Sequence, residues 1–360
     1  MRRQFFLLSF LFILLGPQLI LAQASAPLTN KELVALVYQL PKHPELRDEV
    51  VATIRSRGIG FPLTDGMRSL VASKSGSDAL VRRTLEEAER RRVNPTVSTL
   101  PPEREGNELL ERARAATLAA ADAMPDFIVK QLIKRSRAYG NTNNWQPQDN
   151  LTIAVAYRAN YGEQYKVLAV NGVPRAQETT QKHDYSKDVD PGASSSGVEY
   201  ISAVADVFKP ESNTKFKLVD TDLIQGRHTL VYEYEVSRDL SQLTLRAGDA
   251  EPAVVGSRGR IWIDRELNRV LRFEQIATEV PAGYPISEAS TLIDYDWVAI
   301  GENKYLLPTH SEIQLTNVGR VTVQSRNDIR FRGYQKFGAE LKVIDEIDEK
   351  DFPPDKPEKP

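Results

Sequence analysis

Cysteine is absent from the 360-residue chain, and histidine occurs only four times. The lack of cysteine excludes disulfides, cysteine nucleophiles, thiolate metal sites and a lipid-modified N-terminal cysteine. An excess of either charge is also missing, because 47 lysines and arginines face 49 aspartates and glutamates. A chain this balanced offers no basic field for nucleic acid. The composition, with 41% hydrophobic and 27% charged residues, is typical of a globular protein.

Motifs for catalysis or nucleotide binding are missing too. The sequence has no Walker motif, no dinucleotide-binding glycine motif and no His-Glu-x-x-His. The residues at 256–259 lack the Gly-x-Ser-x-Gly spacing of a nucleophile elbow. His310 and Glu312 can share a strand face, but two ligands do not make a metal site. We therefore predict a protein that is not an enzyme, without catalytic residues, metal or cofactor.

The N-terminus has the order of a secretory signal peptide. Two arginines precede an apolar stretch at 5–15, and Ala22-Gln23-Ala24 provides small residues at cleavage spacing. The apolar stretch is shorter than the ~20 residues of a membrane span. We expect 1–24 to be removed and the mature protein to be periplasmic or secreted and not membrane-spanning. An uncleaved anchor is the alternative.

Composition and periodicity divide the remainder into four parts. Residues 28–92 show helical periodicity and should form a small all-α module. The proline-containing stretch 93–105 is interpreted as a linker. Residues 106–345 begin with an alanine-rich helix, continue with strands, and include one further helix at about 197–208. Residues 346–360, acidic and proline-rich, should be a disordered tail.

The arginine triplet that ends the last helix of the all-α module, Arg90-Arg91-Arg92, has two interpretations. It can form a patch that binds an anionic surface. The simpler interpretation, which we adopt, is a solvated helix end that complements the helix dipole.

Period-two alternation predicts the strands of the larger part. They are expected at 127–137, 151–157, 165–170, 229–236, 259–264, 270–276, 291–299, 305–315 and 320–331. Short turns between them favour antiparallel pairing. The fold class is therefore α+β, with a curled antiparallel sheet covered by helices and preceded by the all-α module.

Alternation also separates an apolar sheet face from a charged one. The charged face holds Arg260, Arg272, Glu274 and Asp294, with Trp262 among them. The apolar positions expected to line a ligand site are Tyr232, Tyr234, Ile261, Ile263, Leu271, Phe273, Tyr295, Trp297, Ile313 and Leu315. Whether this face encloses a cavity or a filled core is open at this point.

A hairpin in this region carries a family resemblance. Gly259-Arg260-Ile261-Trp262-Ile263-Asp264 is followed by Asn268-Arg269-Val270-Leu271-Arg272-Phe273-Glu274. Further matching segments lie at 124–127, 305–308 and 326–331. The chain from about 106 to 340 resembles an uncharacterised family of exported bacterial proteins with the half-barrel fold of the outer-membrane lipoprotein carriers LolA and LolB. The resemblance implies a curled sheet and a lipid-binding role.

Three functions are consistent with these observations. The first is an envelope protein that binds an apolar ligand, such as a lipid, an acyl chain or a lipidated protein segment, on the apolar sheet face. The second is an adaptor or sensor with a filled core, which holds a protein partner through 28–92. The third is a hydrolase, although the sequence shows no combination of a nucleophile and a general base. Trp145, in a polar loop, can stack on a sugar or peptide or fold over the sheet edge.

Overall fold

The structure is a computed structural model. It describes residues 26–95, 99–140, 142, 144–159, 162–174, 201–248, 250–336 and 347–353. The predicted signal peptide at 1–24 lies outside the described residues, as do 197–200 of the predicted second helix and 354–360 of the predicted tail.

Four helices form the N-terminal module, which we call the helical module. They are α1 (Asn30–Val37), α2 (Arg47–Arg57), α3 (Asp65–Lys74) and α4 (Ala79–Val93), with a 3₁₀ turn at Pro44–Leu46. Thr29 and Glu32 form a capping box at the start of α1, because each side chain bonds the other residue's backbone N–H. Gly58 ends α2 at a φ of 67°, a conformation that favours glycine. The apolar faces of the helices meet in one separate core.

Within the described residues, two further helices belong to the sheet region. Helix α5 (Glu103–Asp122) begins three residues before the predicted start, and α6 (Ile201–Phe208) is the described part of the second predicted helix. Short 3₁₀ turns occur at Pro210–Ser212, Arg238–Leu240 and Glu349–Asp351.

The described strands are antiparallel and mostly joined by short turns. They are β1 (Phe127–Tyr139), β2 (Gln146–Arg158), β3 (Gly162–Val170), β4 (Val173–Pro174), β5 (Lys215–Ile224), β6 (Arg227–Val236), β7 (Thr244–Leu245), β8 (Ala253–Val254), β9 (Gly256–Asp264), β10 (Val270–Thr278), β11 (Ile286–Ile300), β12 (Asn303–Asn317) and β13 (Val323–Lys336). Strand β5 was not predicted, because a register shift between Leu218 and Asp220 interrupts its alternation.

Eleven strands form one open sheet in the order β4-β3-β2-β1-β13-β12-β11-β10-β9-β6-β5. Helices α5 and α6 pack on one face, which we call the inner face. The helical module lies against the opposite, outer face, through contacts such as Arg55 with Glu274. The α+β class with a curled antiparallel sheet and covering helices is confirmed.

The C-terminal segment differs from the predicted tail in its described part. Ile347 and Phe352 are buried and pack with residues of β1, β2 and β3. Lys166 donates a hydrogen bond of 2.6 Å to the carbonyl oxygen of Ile347. Two apolar side chains in an otherwise acidic stretch are enough to bring residues 347–353 back onto the sheet.

Candidate functional site

The inner face is filled where the sequence places most of the ligand site. Seven of the ten expected residues belong to one buried cluster with side chains of α5 and α6, and each is no more than 3% exposed. These seven are Tyr232, Tyr234, Ile261, Ile263, Leu271, Phe273 and Tyr295. In this structure they form a core rather than the lining of an open cavity.

Aromatic contacts organise this core. The rings of Tyr234 and Phe273 stack with centroids 5.6 Å apart. The Tyr232 hydroxyl donates a 2.7 Å hydrogen bond to the carbonyl oxygen of Gly106 in α5. A side chain at Gly106 would meet Leu218 at 2.8 Å, so glycine allows the helix to lie close to the sheet. The Tyr234 hydroxyl donates a 3.1 Å hydrogen bond to the carbonyl oxygen of Glu274 in β10, so both hydroxyl groups are satisfied, and that of Tyr232 ties α5 to the strands.

The remaining three expected residues lie elsewhere. Ile313 is buried in a second apolar cluster, built mainly from β1, β2, β12 and β13, and Leu315 is partly buried beside it. Trp297, expected on the apolar face, is 41% exposed. The pairing of β11 with β12 shifts register between Asp294 and Tyr295, and the extra residue, Thr309, lies on β12. Alternation along β11 is therefore not interrupted before Trp297, but alternation indicates only the side of the sheet and not whether that side is covered there.

Helix α6 covers part of the inner face and borders an opening. Its buried residues include Val204 and Phe208, and the Phe208 ring stacks on Phe216 of β5 at 5.3 Å. A cavity of about 240 Å³ lies between α6 and the ends of β6, β9 and β10. The cavity is lined by Ala203, Asp206, Val207, Ser212, Val236, Leu240, Ser241, Gln242, Leu243, Thr244, Arg246, Ser257 and Gln275. It contains none of the ten expected residues, but it gives solvent a path to the side of the core.

The outer face carries a buried ionic network. Glu274, 1% exposed, accepts hydrogen bonds of 3.2 Å at both carboxylate oxygens from Arg55 of α2. Arg83 of α4 lies 3.7 Å from Glu274 and 3.2 Å from Glu312. Burial alone would raise the pKa of Glu274, but Arg55, Arg83 and a third nearby arginine outweigh burial and hold it below its usual range. The charged face is therefore an internal interface with the helical module.

The arginine triplet of α4 takes part in this interface. Arg90 makes two hydrogen bonds, of 2.7 and 2.8 Å, to the Asp222 carboxylate of β5. Arg91 pairs with Asp220 on the same strand, and the Trp262 indole also donates to Asp222 at 3.0 Å. The interpretation of a solvated helix end was wrong for Arg90 and Arg91. The unpredicted strand β5 supplies their partners, so the helix sequence alone could not show this.

His310 takes a structural position in the same face. Its ring nitrogens lie 3.5 Å from a carboxylate oxygen of Asp294 and 3.5 Å from one of Asp328. Burial lowers the histidine pKa, but hydrogen bonds with the two aspartates outweigh it and raise the value to about 9. Glu312 is engaged by Arg83 instead. Within the described residues, no group of three or more His, Asp or Glu is arranged to hold a metal ion.

Two polar cavities lie at the junction of the helical module and the sheet. One has a volume of about 260 Å³ and the other about 490 Å³. They share three lining residues, Arg47, Asp78 and Trp145. The Trp145 ring packs on the Arg326 guanidinium, 4.7 Å from its centroid. Trp145 thus borders both cavities at the base of its loop.

Comparisons with known proteins add the following. No family model matches the sequence, and no curated protein matches it. Among solved structures, the chain is similar to a DUF1329 family protein from Desulfovibrio piger, at 8% identity and a TM-score of 0.27, over 66% of this chain and 95% of that one. A LolA superfamily protein from Nitrosomonas europaea has 11% identity and a TM-score of 0.26, and the match covers 65% of this chain and 99% of that one. An outer-membrane lipoprotein-sorting protein domain from Vibrio parahaemolyticus has 12% sequence identity and a TM-score of 0.24. The match covers 62% of this chain and 91% of that one.

These structures are of the kind that the sequence resemblance indicated. Their identities and TM-scores are low, and the likeness carries no conclusion about ligand, activity or partner. In the described part of the chain, no helix is both long and apolar enough to cross a membrane.

Proposed function

We propose that this protein is exported to the bacterial envelope and binds an apolar ligand, a lipid, acyl chain or lipidated segment, on the inner sheet face. The observation that carries the proposal is the cavity beside α6, where Ala203, Val207 and Val236 of the apolar core reach a lining that is otherwise mostly polar. Binding would not need catalytic residues. The amino-terminal sequence, with its basic start, apolar stretch and small-residue cleavage spacing, supports export.

Helix α6 is the element that a ligand would displace. Its described part has eight residues and is therefore about 12 Å long. Most of the stability of a helix in a protein comes from the packing of its apolar face, so α6 depends on the surface that it covers. Its apolar side chains, Val204, Val207 and Phe208 among them, already occupy the face as a ligand chain would. An acyl chain that entered through the cavity could replace these contacts with equivalent ones.

Such a mechanism has an energetic consequence. Because α6 fills the inner face in the ligand-free protein, the ligand must compete with it. The apparent affinity is then the intrinsic affinity multiplied by the fraction of molecules in which α6 is released. Weakening the packing of α6 should therefore strengthen ligand binding. This relation separates displacement of α6 from adsorption of a ligand to the surface.

The test has two parts. Protein purified natively from its own compartment is extracted with organic solvent, and the extract is examined by mass spectrometry for a stoichiometric lipid. The purified chain is also titrated with the fluorescent apolar probe 1-N-phenylnaphthylamine. Phe208→Ala, which removes the ring stacked on Phe216, should tighten probe binding by about tenfold or more.

The matched control is Val71→Ala in the helical module. Val71 is 1% exposed and belongs to a different core, so its loss lowers stability without touching α6. Probe affinity should not change in this variant. Equal gains in both variants would show only that destabilised protein adsorbs the probe. No lipid in the extract and no probe binding by either the parent or Phe208→Ala would refute the proposal.

The adaptor function is the second candidate, and the filled inner face favours it. In that case the sheet is a scaffold, and the ionic interface holds the helical module in a fixed orientation toward a protein partner. A parent protein that binds no apolar probe, but from which a cross-linked partner is recovered through residues of 28–92, would support this second function.

A further inference from the structure

The two polar cavities beside Trp145 form a cleft between the helical module and the sheet. From the module, α2 contributes Arg47 and Asp48, and the start of α4 contributes Asp78 and Arg83. From the sheet, β9 contributes Arg258 and β11 contributes Glu288. Ion pairs join the two walls, since Arg258 lies 3.3 Å from Asp48, and Arg47 lies 3.8 Å from Glu288. The cleft is therefore built from both parts of the molecule and depends on their docking.

Trp145 has an unused hydrogen-bond donor. Its indole Nε1 is buried and has no hydrogen-bond partner. A buried polar group without a partner is uncommon and calls for an explanation such as a water molecule or a ligand. Arg326, which packs on the ring, also donates a 3.3 Å hydrogen bond to the carbonyl oxygen of Ser77. The indole lines both cavities, and a ligand that displaces the groups covering Nε1 would gain this donor as well as an apolar surface.

The charges in the smaller cavity cancel. Three arginines line it, and so do three carboxylates. The basic residues are Arg47, Arg83 and Arg258, and the acidic residues are Asp48, Asp78 and Glu288. Such a lining attracts neither an anion nor a cation strongly, but it offers many planar donors and acceptors. Amide and hydroxyl side chains, including Gln314, Gln324 and Asn144, extend this polar lining around the cleft.

Asp78 adds a fixed acceptor. Its side chain is 2% exposed, and one oxygen accepts a 2.9 Å hydrogen bond from the backbone N–H of Val81 at the start of α4. Burial raises the pKa of this carboxyl, partly opposed by Arg47. The second oxygen is free to accept from a hydroxyl group in the cleft.

We propose that this cleft binds a neutral saccharide, with one sugar ring against Trp145 and its hydroxyl groups on the surrounding carboxylates, guanidinium groups and amides. A sugar combines apolar C–H faces with many uncharged donors and acceptors, which matches an indole inside a charge-balanced polar lining. The larger cavity, about 490 Å³, lies within the size range of ligand pockets and can accept more than a single small solute. A short peptide is the competing ligand class, and the test separates the two.

The full-length protein is labelled and applied to a glycan microarray, and the strongest neutral oligosaccharide is then titrated by calorimetry. The tripeptide trialanine is titrated in parallel. Trp145→Ala should weaken saccharide binding about tenfold or more, because both the stacking surface and the donor are lost. Trp145→Phe keeps an aromatic surface without the N–H group and should bind with intermediate affinity.

Trp297→Ala is the control, since Trp297 is an exposed tryptophan on the same sheet that lines neither cavity. Circular dichroism checks that each variant is folded. No signal on the array, or saccharide affinity that is equal in the parent and Trp145→Ala, would overturn the proposal. Trialanine binding that depends on Trp145, without saccharide binding, would assign the cleft to peptides and overturn it as well.

Discussion

Replacing Phe273 with alanine tests directly whether the inner face is filled. The ring is 0% exposed and stacks on Tyr234 at 5.6 Å in a core with α5 and α6. Burial of a phenylalanine side chain contributes about 1.5–3 kcal/mol by transfer from water. A void left in packed surroundings adds a cavity cost, so the free energy of unfolding should fall by about 3–5 kcal/mol. If an open ligand cavity already adjoined the ring, the loss would be only about 1–2 kcal/mol, near the transfer value.

Urea denaturation followed by far-ultraviolet circular dichroism measures this loss. With an m-value of about 3 kcal/mol/M, the midpoint should fall by roughly 1–1.7 M. Trp297→Ala is the matched control, because the same strand alternation placed both aromatic residues inward, whereas the structure leaves Trp297 41% exposed. Its effect should stay within about 0.5 kcal/mol. A small loss for Phe273→Ala, or equal losses for the two variants, would refute the account of a filled inner face that leaves Trp297 exposed.

Three further predictions concern charge and processing. Glu274→Gln should lower the free energy of unfolding at pH 7 by about 1.5–3 kcal/mol, because it removes the charged hydrogen bonds to Arg55, which among the described residues keeps only Glu87 at 3.4 Å. Since the folded state lowers the pKa of Glu274, the difference in stability between the parent and Glu274→Gln should shrink as the pH falls below about 4.5. Urea midpoints measured from pH 7 to 3 test this, and a constant difference would contradict the pairing of Glu274 with the arginines. The pKa of His310 is raised to about 9, so the stabilisation that its charged ring provides is complete below about pH 6.5 and is lost as the pH rises through 9. His310→Gln should therefore flatten the decline in the free energy of unfolding between about pH 6.5 and 9. NMR titration of the ring should give a pKa of about 9, and a value near 6.5 would disprove the ion pairing. N-terminal sequencing of the exported protein should begin at Ser25, and a mature chain that starts at Met1 would contradict cleavage.

Strand alternation predicted most of the inner face because it depends only on local sequence. Seven of the expected residues, on β6, β9, β10 and β11, meet in one core. The β6–β9 pairing has no register shift, and the shift between Val270 and Arg272 in the β9–β10 pairing leaves Leu271 and Phe273 buried. Trp297 was expected inside but is 41% exposed, because alternation assigns a side of the sheet and does not show which parts of that side are covered. Strand β5 was missed because a register shift interrupts its alternation.

The helical module shows a second limit of sequence reasoning. Each helix could be predicted from its own periodicity and caps, such as Thr29 with Glu32. Its docking on the sheet could not, because Arg55 and Glu274 are 219 positions apart, and each is read alone as an exposed charge. The cleft beside Trp145 depends on that docking. The sequence identified Trp145 as notable but could not place the arginines and carboxylates around it.

The open sheet also has consequences for how one molecule meets another. An unpaired edge strand invites a strand from a second chain to add to it. At one edge, the described part of β4 is Val173–Pro174, and its proline lacks the donor that a new strand would need. At the other edge, β5 carries Lys215 and Lys217, and α4 is fastened to it through Arg90. Removal of the helical module would take α4 away from β5, and we expect such a shortened chain to associate by strand pairing more readily than the whole protein.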